Sequence, residues 1–263
     1  MDFLQVTGKT FLVAGVANKK SVAYFVAKGL IDNGAQVIFS VQNEENRGKA
    51  QKLFPDSTIL ICDVESTESI SRLGEYFHGN NIKLSGFVHS IAFANYSEGI
   101  KPFHETKAED FLQATNISCF SLVAITNSLK NYFDDNASIV TISISNTRAT
   151  AYGYMGPIKA ALDATVAFLA KSLSEISKIR VNAVCAGPLK TSASAGIPGY
   201  VNNYLFAEQL TLRKAALKTE EVASAVIFLL SPVSGGINAT GIVVDAGMSC
   251  NYFDQDVVNK AMR

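Results

Sequence analysis

Short, continuous apolar runs alternate along the chain with longer stretches in which apolar residues recur at helical spacing. The runs fall at residues 10–16, 36–41, 58–62, 85–91, 138–144, 179–185 and 241–245, and the helical stretches at 22–33, 44–53, 66–77, 108–132, 152–176 and 220–230. Runs that are apolar throughout, without a polar face, are the pattern of strands covered on both sides. Seven such strands joined by helices predict an α/β fold, a doubly wound seven-stranded parallel sheet with helices on both faces. The spacing Thr106-x-x-Glu109 predicts a capping box at the start of the 108–132 helix. The stretch 188–217 breaks the rhythm with Thr191, Ser192, Ser194, Gly196, Pro198 and Gly199, and a loop of that length is expected to serve function. Its apolar members Ile197, Tyr200, Tyr204, Leu205 and Phe206 suggest a lid over an apolar substrate; a surface excursion against a neighbouring subunit is the plainer reading.

Composition narrows the field further. The 263 residues suit one domain spanning 1–263, and 48% hydrophobic against 17% charged residues is enough for a sizeable core. Twenty-three basic and 23 acidic side chains cancel, which excludes a polybasic nucleic-acid binder on bulk charge and favours a small-molecule enzyme. The cysteines Cys62, Cys119, Cys185 and Cys250 are scattered without a CxxC pair, so free thiols in a reducing compartment and no metal site are expected. The first ten residues resemble neither a transit nor a signal peptide, and no apolar run is long enough to span a membrane. A cytoplasmic protein is the expectation.

The first chemical signal follows the first strand. Gly15-Val-Ala17-Asn-Lys-Lys-Ser21-Val22 is a small-residue turn opening a helix, a reduced form of G-x-G-x-x-G in which backbone N–H groups and the helix dipole can hold a pyrophosphate. Alone, it fits a plain strand-to-helix turn equally well. The second strand ends in Val41-Gln42-Asn43, where an adenosine ribose would sit, with no cation to pair a 2′-phosphate. The third ends at Cys62-Asp63-Val64, where Asp63 is either an adenine contact or a solvated strand end. The fourth ends at His89-Ser90-Ile91-Ala92, small enough for a dinucleotide to pass, with His89 expected to be packed and His78 and His104 on the surface.

The remaining motifs are Tyr152-Gly-Tyr154-Met155-Gly156-Pro157-Ile158-Lys159, Val181-Asn182-Ala183-Val184-Cys185-Ala186-Gly187-Pro188-Leu189-Lys190-Thr191 and the terminal Val244-Asp245-Ala246-Gly247. Together with Gly15 to Ser21 they resemble the short-chain dehydrogenase/reductase superfamily, with its Rossmann-like fold, over essentially the whole chain. Within it, the chain is most similar to the NADH-dependent enoyl-[acyl-carrier-protein] reductases of type II fatty acid synthesis. Most of the superfamily carries Tyr four residues before Lys; here that position is Met155, and the enoyl reductase spacing of seven is present in Tyr152 and Lys159. On one continuous helix that spacing is nearly two turns, about 10.5 Å, with both side chains on one face and Tyr154 pointing elsewhere.

The resemblance implies roles. Lys159 would hold the nicotinamide ribose and Tyr152 would hydrogen-bond the thioester oxygen. Gly15, Ala17, Ser21 and Val22 would meet the pyrophosphate; Gln42, Asp63 and Val64 the adenosine; Ser90, Ile91 and Ala92 the path to the nicotinamide; Leu189 and Thr191 the carboxamide. It implies NADH rather than NADPH, an enoyl thioester on acyl carrier protein as substrate, and a homotetramer. One departure stands out: the tyrosine that these reductases usually have just after the fifth strand is Ile144 here, and the segment from there to Tyr152 is two residues shorter. Strand alternation turns Ser143 and Ser145 away from the direction Ile144 faces. Tyr152 is then the only phenol expected at the thioester, and a reductase of another enone or a non-catalytic dinucleotide-binding protein remain open alternatives.

Overall fold

A computed structural model describes residues 2–191, 194 and 197–262. Its seven strands are β1 (Thr10–Ala14), β2 (Gln36–Val41), β3 (Ile59–Ile61), β4 (Leu84–His89), β5 (Phe133–Ile144), β6 (Arg180–Ala186) and β7 (Gly241–Val244). All pair in parallel in the order β3-β2-β1-β4-β5-β6-β7. The expected doubly wound sheet is therefore present.

Alternation within each strand feeds two cores. In β1, Phe11 and Val13 face a cluster built with Ala23, Val26 and Leu30 of α1 (Val22–Asp32) and Val222, Val226 and Leu230 of the last long helix, Thr219–Leu230. Leu12 and Ala14 face the other cluster, with Leu73 and Phe77 of α3 (Thr67–Gly79), Leu122 and Ile125 of α5 (Ser121–Leu129), and Ile158, Leu162 and Val166 of α6 (Met155–Leu173). Helix starts follow local chemistry: the side chains of Ser21, Asn43 and Ser66 accept from the N–H groups of Tyr24, Asn46 and Ser69 at the heads of α1, α2 (Glu44–Leu53) and α3.

Four features differ from the sequence reading. The 108–132 stretch is not one helix: α4 (Ala108–Thr115) passes through a π-helical segment (Asn116–Phe120) into α5. The Thr106 capping box is absent, because the Thr106 hydroxyl donates to the Phe103 carbonyl (2.7 Å) and Lys107 precedes the helix without a side-chain cap. The 188–217 interval contains a helix, α7 (Tyr200–Leu210), so the last long helix is α8 and Gln255–Ala261 is α9. Ser192 and Gly196 of that interval lie outside the described residues. Finally, α6 begins at Met155, and Tyr152 belongs to a separate 3-10 turn, Thr150–Tyr152, followed by Gly153 at φ +60°. The two-turn helical path from Tyr152 to Lys159 therefore does not exist. No described helix is long and apolar enough to cross a membrane.

Chain connections run in opposite directions from β1 and β4, which makes their carboxyl ends the switch point where such sheets bind ligands. There Gly15 has φ +89°, and a Cβ on it would lie 2.0 Å from the Ser90 carbonyl oxygen. The Ser90 N–H donates to Ala14 O (3.2 Å) and the Gly15 N–H to Ser40 O (3.1 Å), so the loops after β1, β2 and β4 are tied together. Gly15→Ala is expected to cost about 2–4 kcal/mol through a left-handed backbone and a backbone clash. Chemical denaturation measures this, and an unchanged midpoint would show that the two strand ends separate freely.

Candidate active site

The carboxyl ends of the strands open onto one cavity of about 640 Å³, within the range of small-molecule and cofactor sites. Every residue given a cofactor or catalytic role by the sequence resemblance lines it. Gly15, Ala17, Ser21 and Val22 form the floor of the first turn; Gln42, Asp63 and Val64 stand at the ends of β2 and β3; Ser90, Ile91 and Ala92 follow β4; Tyr152, Lys159, Leu189 and Thr191 close the other end. Asp63 also orders its own turn, its carboxylate accepting from the Glu65 N–H (3.1 Å).

The donor set fits a dinucleotide. The α1 N-terminus faces the cavity at a turn whose glycine leaves no room for a side chain, polar Gln42 and Asp63 lie at one end, and the Lys159 ammonium lies at the other. Lys159 would hold the ribose hydroxyls and the first turn the pyrophosphate.

Electrostatics at the Lys159 end follow from burial. Lys159 is 4% exposed, and its Nζ donates to the Ile142 carbonyl (2.8 Å). Burial pulls the ammonium down to about 8, while Asp163, one helical turn further along α6, favours the charged form. His89 lies fully buried behind it; its ring nitrogens pair with Thr141 Oγ1 (2.9 Å) and Ser121 Oγ (2.8 Å). Burial, and then the Lys159 charge, push the imidazole down to about 3, so His89 is neutral and structural. Burial raises the Tyr152 phenol above its ordinary value, which keeps the hydroxyl protonated, and so a donor, at neutral pH.

Ile144, the last residue of β5, pairs with Ala186 and contributes to the cavity wall. Ser143 shares that wall, but its hydroxyl is buried next to Asp163 and Cys185, as strand alternation requires. Tyr154 points away, its ring buried and its hydroxyl donating to Asn95 O (3.0 Å).

Two tyrosines outside the cofactor and catalytic assignments also line the cavity: Tyr96, in the segment after β4, and Tyr200, at the start of α7 and one of the expected lid residues. The Tyr200 hydroxyl accepts from the Leu189 N–H (2.9 Å), which ties α7 to the loop after β6. An aromatic among the apolar members of the 188–217 interval was a signal for Tyr200. Tyr96 had none, because it sits in an irregular segment without periodicity.

Comparison with known proteins matches residues 15–249 to the family described as enoyl-(acyl carrier protein) reductase. The chain is 37% identical over 249 residues to the enoyl-[acyl-carrier-protein] reductase [NADH] FabI of Enterococcus faecalis, covering 94% of this chain and 98% of the relative. It is 34% identical to the enoyl-[acyl-carrier-protein] reductase [NADPH] FabI of Staphylococcus aureus, over 93% of this chain and 98% of that protein. Among solved structures, the enoyl-[acyl-carrier-protein] reductase (NADH) of Aquifex aeolicus superposes with a TM-score of 0.88 at 32% identity, covering 93% of this chain and 97% of that one. With a family match over most of its length and a cavity assembled from the motif residues, the chain belongs to the enoyl-(acyl carrier protein) reductase family.

Proposed function

We propose that the protein reduces the carbon–carbon double bond of a trans-2-enoyl thioester carried on acyl carrier protein, with NADH, as a step of fatty acid biosynthesis. The observation that carries this is the single cavity joining the α1 N-terminus to Tyr152 and Lys159, in a chain of this family. When bound, the nicotinamide supplies the hydride that adds to the β-carbon. The electron pair of the double bond would then shift toward the thioester oxygen, and a proton taken from solvent water at the α-carbon would complete saturation. Tyr152, neutral and protonated, donates a hydrogen bond to that oxygen as it gains charge. Lys159 fixes the ribose and places a positive charge beside the developing enolate. Helix α7 shields the acyl chain from water, supported by the Tyr200 wall contact and the Tyr200 to Leu189 hydrogen bond.

A homotetramer is supported by large apolar side chains left on the α4 to α6 surface, Leu112 at 66%, Phe120 at 54% and Phe168 at 78% exposure. Four free thiols support a reducing, cytoplasmic setting.

Three measurements test this reading. The β2 end offers Val41, Gln42 and Asn43, so the strand end itself presents no cation to a 2′-phosphate, and the nearby Arg47 is paired with Glu44 (2.7 Å). NADH is expected to bind at least about tenfold more tightly than NADPH in fluorescence titrations. Equal or tighter NADPH binding, by way of the exposed Lys19 and Lys20 in the first turn, would reverse the assignment.

Lys159 carries its charge below about pH 8 and loses it above, so kcat/KM for NADH should be level at neutral pH and fall as pH rises through that value. Lys159→Arg should retain a reduced rate without this basic limb, and Lys159→Ala should lose cofactor affinity and turnover together. Parent-like turnover by Lys159→Ala would place the site elsewhere.

Tyr152→Phe should lower turnover of crotonyl thioester by about 10² to 10³ while NADH affinity holds. Near-parent thioester reduction would remove Tyr152 from the mechanism. With Ile144 making that part of the wall apolar, reduction of a non-thioester enone alone would move the substrate to that class.

A further inference from the structure

Among the described residues, three buried side-chain polar atoms lack a hydrogen-bond partner: the hydroxyls of Tyr96, Thr126 and Ser143. Buried hydroxyls are seldom left unpaired, and an exception calls for a reason such as an absent ligand. Thr126 does not line the cavity, and the Ser143 hydroxyl lies beside the Asp163 carboxyl and the Cys185 thiol, which are polar neighbours from the protein itself. Tyr96 lines the same cavity as Tyr152, and the polar groups neighbouring its hydroxyl are the phenols of Tyr152 and Tyr154.

Its position is fixed from several sides. The ring packs on Tyr154 with centroids 5.6 Å apart, and Tyr154 is itself held by its hydrogen bond to Asn95 O. The Asn95 side chain donates to Asp110 of α4 (2.8 Å) and accepts from the Ser97 N–H (3.1 Å), while the Tyr96 carbonyl accepts from the Gly99 N–H (2.9 Å). Upstream, the Phe93 N–H donates to Ser118 Oγ (2.9 Å) in the π-helical segment. So anchored, the phenol reaches toward the Tyr152 turn: a Cβ on Gly153 would find the Tyr96 hydroxyl oxygen at 3.8 Å and no other atom within 4 Å. Burial, reinforced by the neighbouring Tyr152 and Tyr154 phenols, raises the Tyr96 phenol well above its ordinary value, so it is a donor at any working pH. Ile144, which lines the same cavity, carries no hydrogen-bond donor.

We propose that Tyr96 is a second catalytic phenol, donating a hydrogen bond to the thioester oxygen beside Tyr152 and supplying the donor that Ile144 cannot. This rests on the enoyl thioester reading above. A hydroxyl without a protein partner is the group that a substrate oxygen would satisfy, and the interaction gains strength only as that oxygen becomes negative.

Tyr96→Phe tests it, because the substitution keeps the ring packing and removes one oxygen. With crotonyl thioester and NADH, kcat and kcat/KM are expected to fall together by about tenfold or more, with NADH affinity unchanged. The thermal midpoint should be equal to the parent's or higher, because an unpaired buried hydroxyl is removed. A purely structural Tyr96 would give a lowered midpoint. A kcat loss under fivefold, or any loss accompanied by a lowered midpoint, overturns the role of Tyr96 while parent activity leaves the reductase reading intact. A parent that does not oxidise NADH with the thioester overturns both.

Discussion

The carbonyl of Ser90 occupies the space in which a side chain at residue 15 would begin. That contact sets the distance between the ends of β1 and β4, the two neighbouring strands whose connections diverge. A doubly wound sheet always has a crevice at such a point, but its width is not given by topology. Here a backbone-to-backbone approach fixes it, and the first turn of α1, the β2 end and the path toward Lys159 are all positioned relative to it. The hydrogen bonds from Gly15 to Ser40 and from Ser90 to Ala14 make the same junction continuous across three strands.

Burial then assigns protonation states without any strong ion pair at the centre. Lys159 lies in a shell whose other titratable members are Asp163, Cys119, Cys185 and the His89 imidazole, and of these only Asp163 is of a type that is ordinarily anionic at neutral pH. The cation is held by a backbone carbonyl more than by a counter-charge, which leaves its field available to the cavity. Neutral His89 spends both nitrogens on hydroxyls and braces β4 against β5 and α5, so the interior behind the cation is polar but uncharged.

The sheet was legible because strands buried on both faces have no choice but apolar runs, and the cofactor turn because a glycine had to stand where β1 meets β4. Tyr152 and Lys159 stand out through a motif, but their spacing of seven is not a helical one: Gly153 ends the 3-10 turn before α6 begins. Other features were hidden for physical reasons. Helix α7 buries only Ala207 among its described side chains, so it writes no apolar stripe. The π-helical segment and the start of α5 have tertiary partners, Ser118 with Phe93 and Ser121 with His89, that lie 25 and 32 residues away. Tyr96 belongs to a segment shaped by distant hydrogen bonds, and nothing in its neighbours marks it.

The separate 3-10 turn that carries Tyr152 has an evolutionary consequence. Were Tyr152 and Lys159 on one rigid helix, any change that relocated the phenol would also displace the ammonium, and selection for a new acyl group would disturb cofactor binding. Gly153, in the left-handed region, uncouples the two. The 144–152 stretch can thus change in length and composition while α6 keeps Lys159 in register with the sheet. On the roles proposed for Tyr152 and Lys159, substrate preference and cofactor anchoring become modules that can drift at different rates within one fold.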